Sequence, residues 1–133
     1  MTAAATRAAL AAAFAADPGV RATLGNPVRL LEAPARGALP AAVWRRWETR
    51  PSGASLVPTD EHTITLEVVT REPGIDAARA AIAALSAAAA SMRPTPPDVH
   101  IVLVLPVYAD VLRQADQRGW SGILRLKVIA EPI

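Results

Sequence analysis

A two-layer α+β domain is the fold class this sequence predicts: a mainly antiparallel sheet of about five strands with two helices packed on one face. Three observations predict it. Residues 60–71, DEHTITLEVVTR, alternate apolar and polar side chains with the two-residue period of a strand. Residues 75–92 place Ile75, Ala78, Ile82, Leu85, Ala89 and Met92 at steps of three and four, one apolar stripe along a helix. The element order is helix, three strands, helix, then two or three strands, which collects the helices at one face of the sheet.

The chain opens with a helix expected over residues 3–16, where Leu10 and Phe14 share a face and Asp17-Pro18-Gly19 stops the run. A short turn is expected over 20–24, and a short strand over 28–33 leads into the loop Pro34-Ala35-Arg36-Gly37. A second strand is expected over 39–49, with Pro40 near its start, where a missing N–H does least harm. Residues 50–59, rich in Pro, Gly and Ser, read as a loop. In the third strand Ile64, Leu66 and Val68 point one way, and Thr63, Thr65, Glu67 and Val69 the other, before a turn at Glu72-Pro73-Gly74. The second helix ends at Arg93-Pro94-Thr95-Pro96-Pro97. Residues 99–105, VHIVLVL, are almost continuously apolar, which predicts a central strand covered on both faces and interrupted at Pro106. Residues 107–113 and 121–130 are expected to form a hairpin across the turn 115–119, with Leu124, Leu126 and Val128 alternating against Arg125 and Lys127. The third strand, second helix and fourth strand suit one right-handed βαβ crossover.

Length fits a single domain over residues 1–133. Apolar residues make up 52%, but alanine inflates that share and only 4% is aromatic, so the core is thin and suited to support by association. Net charge is only +2, and Lys127 is the sole lysine among many arginines. So small an excess gives no strong field to recruit nucleic acid. With no cysteine, disulfides, thiolate nucleophiles and thiolate metal sites are all excluded. The alanine-rich start lacks a basic region and is interrupted by Arg7, so it reads as a helix rather than a signal peptide. No uninterrupted apolar run approaches the ~20 residues of a membrane span.

Motifs for chemistry are missing. His62 and His100 have no HxxxH, HExxH or cysteine partner, so no metal ligands are assigned. Asp60, Glu61 and His62 are adjacent, and successive strand residues diverge, so the three cannot all converge on one ion. His100 is expected as a satisfied core or interface histidine. No serine sits in a GxSxG elbow, and neither GxGxxG nor GxxxxGK[ST] occurs, which leaves no catalytic or cofactor-binding residue to name. The unusual cluster is WRRWETRP, residues 44–51. Trp and Arg at this density suit a protein interface, a stacking and phosphate-binding surface, or a strand with Trp44 packed and Arg45, Arg46 and Arg50 solvated. Glu48 and the low net charge weigh against a phosphate groove.

Several stretches together resemble the tail-terminator (tail-completion) proteins of long-tailed phages and of phage-derived gene transfer agents. VRLLEAPARGALP resembles the family's short strand, small-residue loop and Leu-Pro entry to the next strand. WRRWETRPSGAS, then EHTITLEVVTRE and GIDAARAAIAALSAAA, resemble its glutamate-histidine start, alternating strand, Gly-containing turn and Ala-rich helix. ADVLRQADQRGWSGILRLKVIAEP resembles its closing pair, a polar turn before a G-[IV]-L-R strand with a Glu-Pro tail. The likeness spans nearly the whole chain through loose patterns. It departs at Ala41, where many relatives have an aromatic, and at SMRPTPPDVHIVLVLPVY, which is more apolar than the family pattern.

The resemblance implies a structural protein without enzymatic activity, cofactor or membrane. Such proteins form a homo-oligomeric, six-membered ring that caps the tail tube. One face meets the tube protein and the other the head-side stopper or connector, with DNA only passing through the lumen. Its place would be the neck of a virion or gene transfer agent particle, assembled in the bacterial cytoplasm. The residues expected at contacts are Trp44, Arg45, Arg46 and Trp47, with Thr63, Thr65 and Glu67 from the outer face of the third strand; Arg125 and Lys127 are expected toward the lumen. Two other readings stand beside this one: a small ferredoxin-like ligand-binding or regulatory module with a pocket between sheet and helices, and an enzyme using His62 with Asp60 or Glu61.

Overall fold

The computed structural model describes residues 2–32, 39–52, 58–71, 74–115 and 118–133. Eight elements follow in order: α1 (Ala3–Ala16), α2 (Pro18–Leu24), β1 (Leu30–Leu31), β2 (Ala41–Pro51), β3 (Asp60–Val69), α3 (Ile75–Ser91), β4 (Val99–Arg113) and β5 (Trp120–Pro132). The loop at residues 34–37, residues 53–57 of the expected loop 50–59, Glu72-Pro73 and the tip of the 115–119 turn lie outside the described residues.

In α1, Thr6, Leu10 and Phe14 recur every fourth residue and are the buried face. The turn expected at 20–24 is a true helix. Asp17 caps it by accepting a 3.0 Å hydrogen bond from the Val20 N–H, and Pro18 opens it with a φ already suited to helix. Gly25 closes it at φ 93°, a backbone region that a Cβ disfavours. Three helices therefore pack on the sheet instead of the expected two. In α3 the buried residues Ala78, Ala81, Ile82, Leu85, Ala88 and Ala89 widen the expected stripe with alanine, which lets the helix come close to the strands.

The five strands form one sheet in the order β1-β2-β3-β5-β4. Only β1–β2 is parallel; β2–β3, β3–β5 and β4–β5 are antiparallel. The expected crossover is present in connectivity, but β5 is inserted between β3 and β4, which run parallel to each other on either side of it. Ile64, Leu66 and Val68 of β3 and Leu124, Leu126 and Val128 of β5 are fully buried beneath Leu10, Phe14, Leu24 and Leu85. Gly122 lets α3 approach closely, since a Cβ there would lie 2.5 Å from Cγ1 of Ile82. No described helix is long and apolar enough to cross a membrane.

One expectation is overturned. Residues 99–105 are not a central, doubly covered strand: they begin a 15-residue edge strand that runs on through Pro106 to Arg113. Val99 and Val104 face the core, whereas Val102, Leu103 and Leu105 are exposed. The apolar run reported that both faces of the strand avoid charge, not that both are covered by this chain. Pro106 is tolerated because an edge strand has one side with no ladder to break.

Candidate functional site

The WRRW segment is divided by a β-bulge. The register of β2 on β3 shifts between Trp44 and Arg46, so Trp44 faces Leu66 and Trp47 faces Ile64, both on the helix-covered side. In a regular strand, residues three apart would point to opposite faces. The bulge instead brings the two indoles together, with ring centroids 5.7 Å apart and planes tilted by 53°, half-buried against the core. With Ala3, Ala4 and Arg7 of α1 they wall a depression of about 330 Å³. Arg45 and Arg46 are exposed; Arg45 donates to Glu67 Oε1 at 3.0 Å, and Arg46 pairs with Glu48.

On the other side of the sheet no described helix packs, and several candidates meet there. Thr65 stands opposite Arg46 on one side and Arg125 on the other, while Thr63 stands opposite Lys127. Arg45, Arg46, Thr65, Glu67 and Arg125 line one open groove of about 530 Å³ with Tyr108. Trp44 and Trp47 are not part of it. The two cations expected at a lumen are already engaged. Arg125 lies 5.0 Å over the Tyr108 ring, and Lys127 Nζ is 2.7 Å from Glu61 Oε1. The Lys127 ammonium holds the Glu61 carboxyl below its ordinary range, and the Asp110 carboxylate accepting from Tyr108 pushes that phenol up.

His62 occupies the covered face and is fully buried. Trp47 Nε1–H, which can only donate, reaches its Nδ1 at 3.1 Å, so Nδ1 accepts and the proton resides on Nε2. Thr49 Oγ1 is 2.9 Å from the same Nδ1. Nε2–H then donates to Thr2 Oγ1 at 2.8 Å, and Thr2 donates in turn to Asp60 Oδ2 at 2.7 Å. Burial keeps the imidazole pKa below its ordinary value, and the Thr2 hydroxyl does most to lower that of Asp60. The chain of bonds pins the start of α1 to β2 and β3. The His62 ring itself is fully buried within it. Asp60 and His62 sharing a face follows from their two-residue spacing in the sequence; Thr2, sixty residues away, carries no such signal. Of the two positions expected for His100, core or interface, the core is excluded: it is exposed and pairs with Glu131 at 2.8 Å. Among the described residues no group of three or more His, Asp or Glu is placed to hold a metal ion.

One face of the sheet is packed by helices over a buried histidine network, and the other is open and grooved. The whole fold is similar to a chain in the solved structure described as "Virion of native gene transfer agent (GTA) particle", with a TM-score of 0.81, 20% identity, and 94% of this chain and 93% of that chain covered. Among curated proteins no match is found. Residues 8–131 match the family described as "Tail completion protein gp17", and the chain belongs to that family of structural tail proteins.

Proposed function

We propose that this chain forms a closed homo-oligomeric ring, six-membered as the family resemblance implies, that terminates the tail tube and joins it to a head-side connector. DNA passes through its lumen. The reading makes the protein a neck component of a phage or gene transfer agent particle, assembled in the bacterial cytoplasm, and a protein without catalytic activity. Its proteinaceous partners are further copies of itself, the tube protein and the stopper.

The observation that carries this reading is the family match over residues 8–131 together with the uncovered sheet face. A ring needs two unlike patches on each subunit, and the Trp/Arg segment and the open face, which meet at Arg45 and Arg46, supply two candidates of different chemistry. Trp44, Arg45, Arg46 and Trp47 form the first, at a subunit or tube contact. Thr63, Thr65 and Glu67 lie on the second. Arg125 and Lys127 belong to the lumen wall, where their pairing with Tyr108 and Glu61 leaves a surface only mildly positive, suited to DNA that must slide rather than bind. Gel filtration with light scattering and negative-stain imaging, with and without tube protein, tests the reading. Rings of uniform diameter are expected; a monomer at every concentration, tube protein included, would overturn it.

A further inference from the structure

Every large hydrophobic side chain exposed among the described residues, Ile133 apart, is on β4: Val102 (53% exposed), Leu103, Leu105, Val107 (51%), Tyr108 and Leu112. Leu103, Leu105, Tyr108 and Leu112 stand opposite Ile129, Lys127, Arg125 and Ser121, in the row of the open face, and Val102 and Val107 sit at the bulges. β4 is the edge of the sheet, no described strand pairs with its outer side, and residues 101–109 carry no charge. Register shifts between Ile101 and Leu103 and between Pro106 and Tyr108 leave Val102 and Val107 with no partner on β5. An edge left to solvent is ordinarily guarded by charge or shortness as well as by bulges and proline. Between Ile101 and Ala109 this one has only the bulges and Pro106, with Asp110 and Arg113 beyond them. Six such side chains amount to roughly 400 Å² of apolar surface, the size of the largest patch on a typical monomer, which is often functional. That is about half of the ~800 Å² each partner gives to a stable interface.

The far edge of the same sheet supplies a counterpart. Among the described residues β1 covers β2 only at Ala42 and Val43, and no described strand pairs with the outer side of positions 44–51. That stretch offers two half-buried tryptophans and the exposed Arg45, Arg46 and Arg50, rings and long aliphatic stems suited to covering apolar groups. One edge is apolar and uncharged, the other rich in Trp and Arg, and they lie at opposite ends of one sheet. Unlike patches so placed join copies head to tail.

We propose that the outer side of β4 docks on the β2 edge beyond Val43 of the next copy of this chain. The proposal rests on the ring reading above and says which strands build the ring. The test compares the full-length chain with V102D/V107D and with R46E/R50E by light scattering, tube protein present and absent, with circular dichroism and thermal melting as controls for folding. Wild type is expected to assemble and each double variant to remain monomeric at tenfold higher concentration, with an unchanged spectrum. Mixing the two variants is expected to give a dimer that grows no further, because only one intact pair of edges exists between them. If V102D/V107D melts early, the near-isosteric V102T/V107T replaces it, with weakened assembly expected. A V102D/V107D protein that assembles like wild type overturns the proposal and leaves the ring reading standing. Wild type that stops at a dimer overturns the head-to-tail contact, and wild type that never assembles overturns both.

Discussion

The two faces of β3 obey the same alternation and end in opposite conditions. On the covered side His62, Ile64, Leu66 and Val68 are all fully buried, and the one polar member of the row is hydrogen-bonded at both ring nitrogens. On the open side Thr63 and Glu67 remain partly accessible, and Glu67 reaches across the sheet to Arg45. The difference shows where folding energy is concentrated in this protein. Apolar contact and buried hydrogen bonds are concentrated beneath the helices, while side chains that cost little to rearrange face outward.

Breaking the covered face should have the largest effect. Leu66→Ala removes a fully buried side chain from the centre of the core, so a loss of about 2–5 kcal/mol is expected in urea denaturation. Gly122→Ala should follow. Its Cβ would meet Cγ1 and Cδ1 of Ile82 at 2.5 and 2.9 Å, forcing α3 off β5. A cost of about 1–3 kcal/mol is expected, read as a lowered melting temperature.

Acidity sharpens the comparison further. The folded state holds His62 neutral, with its pKa below the ordinary 6.5, because burial disfavours the imidazolium. The unfolded chain therefore takes up this proton first. The stability owed to neutral His62 is complete above about pH 6.5 and is lost as pH falls from there through the lower folded-state value. Protonation would also set an Nδ1–H against the Trp47 N–H. Asp60 adds a second loss only below its ordinary 3.8. Melting temperatures between pH 8 and 5 should fall for wild type and less for His62→Gln; equal slopes would remove His62 as the cause.

The smallest change in stability is expected on the open face. Glu67→Gln breaks one exposed pair to Arg45, worth about 0–1 kcal/mol. Melting should barely move, whereas any shift in oligomer size would mark Glu67 as part of a contact. A melting point that fell as far as that of Leu66→Ala would erase the distinction between the two faces.

The β3 alternation was legible because a half-covered strand must segregate its residues with period two, and the α3 stripe because one helical face must be apolar. The same reasoning found α1, the closing hairpin and the outward row Thr63, Thr65 and Glu67. It failed at VHIVLVL, because an apolar strand is written alike whether a helix, another strand or another protein covers it. It also could not divide WRRW. A bulge depends on how β2 and β3 pair, and nothing in the local string states that Trp44 and Trp47 share a face.

By itself, then, the sequence determined which residues avoid water, where helices stop, and that no catalytic motif is present, since these follow from local periodicity, capping and side-chain chemistry. Tertiary structure alone decided that β5 lies between β3 and β4, leaving β4 at the edge, and that Thr2 meets His62. Those outcomes depend on long-range pairing, where one strand takes a position in the sheet that another equally apolar strand could have filled.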